Sequence, residues 1–109
     1  TILGHPTGRL LLKRKGYEID QHAVIDAAAE HKTIIEINAN PHRLDLDWRL
    51  IGYAKQKGVK IAINPDAHNL RGLQHVMYGI RMARKGWLTH NDVVNTYSYT
   101  KFKMNCLSK

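Results

Sequence analysis

Residues 59–69 read VKIAINPDAHN, and the fold turns on them. Val59, Ile61 and Ile63 are β-branched, which favours a pleated strand, and Asn64-Pro65 ends it, because the residue before a proline is pushed out of the helical region. The spacing predicts a strand over 59–63. Beyond the proline turn, Leu73, Val76, Met77, Ile80 and Ala83 recur at i, i+3, i+4 intervals up to Gly86, the stripe of an amphipathic helix. Strand, turn and helix in that order make one βα unit.

The same plan repeats upstream. Asp20 stands where a helix N-cap belongs, and Val24, Ala27, Ala28 and His31 follow at helical spacing, predicting a helix over 20–32. Thr33 to Ile37 is mostly β-branched and leads into Asn40-Pro41, predicting a strand over 33–38. Asp45 or Asp47 can cap a second helix with Trp48, Ile51 and Ala54 on its apolar face, running to Gly58. Residues 1–3 read as the end of a further strand. Thr89 with Asp92 resembles a capping box for a short helix covering Val93 and Val94. Strands alternating with helices define an α/β fold with a parallel sheet, and with no long linker residues 1–109 read as one domain.

Composition sets the class. The chain of 109 residues has 17 Lys+Arg against 9 Asp+Glu, a net charge of +8, and is 43% hydrophobic. No run approaches the roughly 18 apolar residues of a membrane span, and the first residues lack a signal-peptide layout. The single cysteine, Cys106, cannot form an internal disulfide, which suits a cytoplasmic protein. The chain starts at Thr1 without Met and reads as a fragment. Its positive charge is uneven: residues 1–17 hold Arg9, Lys13, Arg14 and Lys15 with no acid, and residues 81–109 hold six basic residues against Asp92. Such a surface attracts polyanions, nucleic acid first, although solvated lysines account for it equally well.

Three turns, each after a strand, carry residues of catalytic type: 4–9 (GHPTGR), 38–43 (NANPHR) and 64–69 (NPDAHN). In parallel α/β folds the loops at the strand C-termini build the site. Asp66 and His68 are two apart, so in an extended segment both can approach one ion, and His5 can complete the set. Mixed imidazole and carboxylate donors favour Zn or Mn over an all-oxygen cage, with Mg as a further option. The structural alternative is that Asp66 caps the next helix and His5 bonds to backbone. Arg9 and Arg43 suit bidentate phosphate binding; the alternative is an ion pair of Arg43 with Asp45 or Asp47. Glu36, among isoleucines, must be paired or face a polar mouth, which makes it a support for the donors or a substrate-facing group. His22, His31, His75 and His90 fall on helical stretches as solvated or satisfied histidines. Trp48, Met77 and Trp87 are expected in the core.

The strings GHPTGRLLLKRKGYEID, EINANPHRLDLDWR, KIAINPDAHNLRGL and YGIRMARKGWLTHNDVVNT resemble, in order from residue 1 to about 96, the C-terminal part of the PHP (polymerase and histidinol phosphatase) domain attached to bacterial and archaeal family X DNA polymerases. That resemblance implies about three βα units from a distorted seven-stranded βα barrel with metal ions at its mouth. It implies His5, Asp66 and His68 as metal ligands, with no catalytic residue beyond them, and a metal-dependent 3′-5′ exonuclease used in DNA repair. The implied partner is DNA, at single-stranded 3′ ends. The family's His-x-His motif does not occur in this chain, and neither do the upstream barrel strands or the polymerase domain with its transferase activity, so the fragment is expected to be inactive alone. Two other functions compete: a histidinol-phosphate-type phosphoesterase, and a non-catalytic scaffold of the polymerase. Three units cut from a barrel are also expected to leave Ile35, Ile37, Ile61 and Ile63 uncovered and strand edges unpaired, so that the chain self-associates.

Overall fold

The computed structural model describes residues 1–107. Three parallel strands, β1 (Ile2–Leu3), β2 (Ile34–Asn38) and β3 (Ile61–Asn64), lie in the order β1-β2-β3, with Ile2 opposite Ile34 and Ile37 opposite Ile63. Helix α1 (Gln21–Glu30) joins the first two and α2 (Trp48–Gln56) the last two. After β3 come a 3₁₀ turn (Arg71–His75) and α3 (Val76–Lys85), then a second 3₁₀ turn (Val94–Thr96), α4 (Tyr99–Phe102) and a wide helical turn (Lys103–Leu107). The α/β class, the three strands and the three longer helices are as the sequence predicts. Asp20 caps α1 by accepting from the Ala23 N–H, and Asp47, not Asp45, caps α2 through the Arg49 N–H.

Strand alternation divides the core in two. Ile35, Ile37, Ile61 and Ile63 point to the helical side, where they pack with Ile25, Ala28, Ile51 and Ala54. Ile34 and Ala62 point to the other side, where Val94 and Cys106 cover them with Tyr97 and Phe102. The polypeptide after residue 93 therefore covers the face of the sheet opposite the helices. Among the described residues no helix is long and apolar enough to cross a membrane.

Several expectations are corrected. Ile35, Ile37 and Ile61 are 0% exposed and Ile63 only 6%, so the uncovered isoleucines expected to drive self-association do not exist. The outer edge of β3 is also occupied: Ile61 bridges Val93 in parallel, and the Asn95 side chain bonds both the N–H and the C=O of Ile63, each at 2.8 Å. Trp48, Met77 and Trp87 are surface residues, not core. In α2 the inward positions go to Ile51 and Ala54, which leaves Trp48 at the helix start beneath Lys85, whose Nζ lies 4.1 Å from the ring centre. In α3 the small residues Gly79 and Ala83 face inward, so Met77 is turned to solvent, as is Leu73 in the preceding 3₁₀ turn. A methyl group on Gly79 would lie 2.5 Å from Ile63 Cγ2 and 2.7 Å from Ala39 Cβ, so the helix approaches the sheet by having no side chain there. Thr89 and Asp92 do bond, Asp92 Oδ2 accepting from the Thr89 N–H at 2.8 Å, but they close a turn, and the 3₁₀ turn starts two residues later.

Candidate functional site

Because the strands are parallel, their C-terminal ends share one edge of the sheet, and the three motif-bearing loops gather there. Glu36 is what joins them. It sits on β2 on the same face as Ile34, and its two oxygens accept from the His5 N–H at 3.0 Å and from Asn64 Nδ2 at 2.8 Å. One carboxylate thus ties the loop after β1 to the end of β3. Glu36 is thus a paired strand carboxylate whose charge is met by donors from the loop after β1 and from the end of β3.

His5 and Asp66 both adopt left-handed backbone conformations, φ 24° and 53°. Such angles are uncommon outside glycine and concentrate at functional sites. Asp66 is not a helix cap: Leu70 precedes the 3₁₀ turn and no side chain caps it. The Asp66 carboxylate lies 3.4 Å from Arg43 Nε, and its backbone oxygen is 2.9 Å from His68 Nδ1. His5, Asp66 and His68 are therefore carried by neighbouring loops at one end of the sheet. They do not close into a ligand sphere: among the described residues no three His, Cys, Asp or Glu side chains are grouped to hold a metal ion. These residues alone do not fit a complete divalent site, and further donors would have to come from outside them.

The two arginines are anchored in the loops. Arg9 donates through Nε to the Arg43 carbonyl at 2.9 Å, through Nη1 to Asp47 at 2.8 Å and through Nη2 to the Leu44 carbonyl. Arg43 in turn reaches the Arg9 carbonyl and Asp66. Arg43 is ion-paired, with Asp66 instead of Asp45 or Asp47, and it is Arg9 that takes Asp47. Each arginine fixes the loop of the other, and phosphate could meet only the N–H groups left over. Asp47, gripped by Arg49 and then by Arg9, is held well below the usual carboxylate range against the opposing effect of its burial. A carboxylate with a lowered folded-state pKa stabilises the protein above its unfolded pKa of 3.8 and loses that contribution as pH falls below it. Asp47→Asn is therefore expected to lower stability at pH 7 and to flatten its decline between about pH 4 and pH 2. Urea midpoints measured across that range check it; parallel curves for the two proteins would contradict it.

Sequence reasoning missed the role of Asp45. Its side chain is wholly buried, and Oδ2 accepts from the Thr7 N–H (2.9 Å), the Thr7 hydroxyl (2.8 Å) and the Gly8 N–H (3.0 Å). It clasps the first loop against the second. Beside it lies a cleft of about 430 Å³ lined by Arg9, Tyr17, Gln21, Asp47 and Arg49 among others, with none of His5, Asp66 or His68 in its wall. His22 lies edge-on to Tyr53 and His75 beside Tyr78.

No family model matches the chain. Over 97 residues, 89% of its length, it is 45% identical to the DNA polymerase/3′-5′ exonuclease PolX of Bacillus subtilis (strain 168), of which it spans 17%. The resemblance to a family X polymerase carried by the motifs is borne out by this relative.

Proposed function

We propose that this chain is the C-terminal part of a PHP-type barrel of a family X DNA polymerase, and that it contributes to metal-dependent 3′-5′ hydrolysis of DNA. The observation that carries this reading is the meeting of three loops at one edge of a parallel sheet, tied by Glu36 and bearing His5, Asp66 and His68. The similarity to a polymerase with 3′-5′ exonuclease activity supports the substrate class. His5, Asp66 and His68 are the donors this chain offers to divalent Mn or Zn, and Glu36 positions the His5 loop. The rest of the ligand set is supplied by other barrel strands, which accords with the absence of a three-donor cluster among the described residues. The isolated chain is accordingly inactive. That same absence favours a second reading, a non-catalytic scaffold.

Exchanging this chain for the matching 97 residues of the Bacillus subtilis relative separates the two. The chimera is expected to remove nucleotides from single-stranded 3′ ends with Mn²⁺, and Asp66→Ala or His68→Ala to lower that rate at least about tenfold while nucleotide addition continues. Primer extension without any exonuclease in the unmutated chimera would favour the scaffold. Equal loss of both activities in the variants would refute the ligand assignment.

A further inference from the structure

Between the first loop and α1 the chain makes a tight hairpin over residues 10–15, LLLKRK. The Leu10 N–H bonds the Arg14 carbonyl at 3.0 Å and the Arg14 N–H bonds back at 2.7 Å, an antiparallel bridge that closes the turn. Arg14 Nη2 reaches the Gly8 carbonyl at 2.8 Å, and the Leu11 N–H reaches the His42 carbonyl at 2.6 Å. The hairpin is thereby fixed at its base and fastened to the loops after β1 and β2. At its tip Leu12 is 106% exposed with φ 64°. A leucine in that position is unfavourable twice over, in its contact with water and in its backbone angle. Lys13 and Lys15 follow it, both exposed and without an ion pair among the described residues, in a stretch of 17 residues that has no acid.

We propose that this hairpin is a DNA contact in which Lys13 and Lys15 engage backbone phosphates and Leu12 wedges against the terminal base of a DNA end. The occupant rests on the reading given under Proposed function; the geometry and charge are independent of it. Cations on a turn closed at its base match phosphates in sign, and an apolar side chain projecting from the same turn is the device by which proteins unstack one base step. A lipid surface would reward a broader apolar face than one leucine tip. The hairpin is fastened to the loops that carry His5 and His42, to which an unstacked 3′ nucleotide would be delivered.

The test uses the 109-residue chain in EDTA with a fluorescein-labelled DNA duplex carrying 2-aminopurine at one 3′ terminus. The wild-type chain is expected to bind with strong salt dependence and to raise the 2-aminopurine emission as the base unstacks. Replacing Lys13 and Lys15 together by Ala should weaken binding about tenfold and reduce the slope of log K against log salt by roughly 1.4 to 1.8, the value for two phosphate contacts. Leu12→Ser should keep affinity within about threefold while removing most of the emission rise. All three side chains are solvent-exposed, so the variants should fold, which circular dichroism verifies. No salt-dependent binding, unchanged binding by the double variant, or a full emission rise with Leu12→Ser would each overturn the proposal; binding to phosphatidylserine vesicles but not to DNA would reassign the hairpin to membranes. With EDTA excluding hydrolysis, failure here leaves the metal-ligand reading intact, and failure of the chimera's exonuclease leaves the hairpin reading intact.

Discussion

Asp45→Ala is expected to destabilise the protein by about 3 to 5 kcal/mol, a large part of the margin of a small domain. The reason is where the donors are left. Thr7 N–H, Thr7 hydroxyl and Gly8 N–H all converge on Oδ2 of a wholly buried carboxylate, and alanine offers none of them an acceptor. Asp45→Asn should cost much less. An amide oxygen can still receive the three donors, and its NH₂ would occupy the place of Oδ1, which has no hydrogen-bond partner. Chemical denaturation of the three proteins checks the order. Equal losses for Ala and Asn would mean that the negative charge, and not the acceptor, holds the loop. The His5 loop should loosen with it, since Thr7 is only two residues away, so proteolysis within residues 4–17 should accelerate in Asp45→Ala before the rest of the chain is cut.

The elements legible in the sequence are those whose causes are local. Asp20 and Asp47 cap their helices through N–H groups two or three residues on, and the isoleucine runs of β2 and β3 make strands by their own branching. The three loops could be placed on one edge because parallel βα units leave no alternative. What escaped the sequence was decided by contacts across the chain. Asp45 and Asp47 are equivalent as sequence, yet one caps a helix and the other binds Thr7, 38 residues away. Trp48 and Met77 fit an apolar stripe, yet the helices press inward at Ile51 and at Gly79, which outcompete larger side chains by closeness of approach. The candidate donors His5, Asp66 and His68 read as a set in the sequence because each follows a strand, and the structure brings their loops to one end of the sheet without grouping the side chains. Glu36 as their tie was visible only as a charge that had to be met.

Asn95→Ala is expected to combine a loss of about 2 to 4 kcal/mol with increased self-association through the outer edge of β3. Asn95 acts as a one-residue strand: its amide NH₂ and oxygen answer the Ile63 C=O and N–H, both at 2.8 Å, and the Asp92 carbonyl answers the Ile61 N–H at 2.9 Å. Together they finish the outer edge of β3 without a fourth strand. Alanine would leave two backbone groups of Ile63 unpaired beside buried isoleucines, at about 1 to 3 kcal/mol each before relaxation, and would expose a template on which another β3 could pair. Asn95→Asp should behave similarly, because a carboxylate has no N–H for the Ile63 carbonyl, whereas Asn95→Gln keeps both groups one methylene further out and should fall between. Light scattering at micromolar concentration alongside thermal unfolding separates the two effects. A monomeric Asn95→Ala protein that unfolds at the wild-type temperature would show that the Val93 bridge alone protects the edge. Aggregation of Asn95→Ala that exceeds the wild type's and grows with concentration would instead show that a single side-chain amide guards the β3 edge.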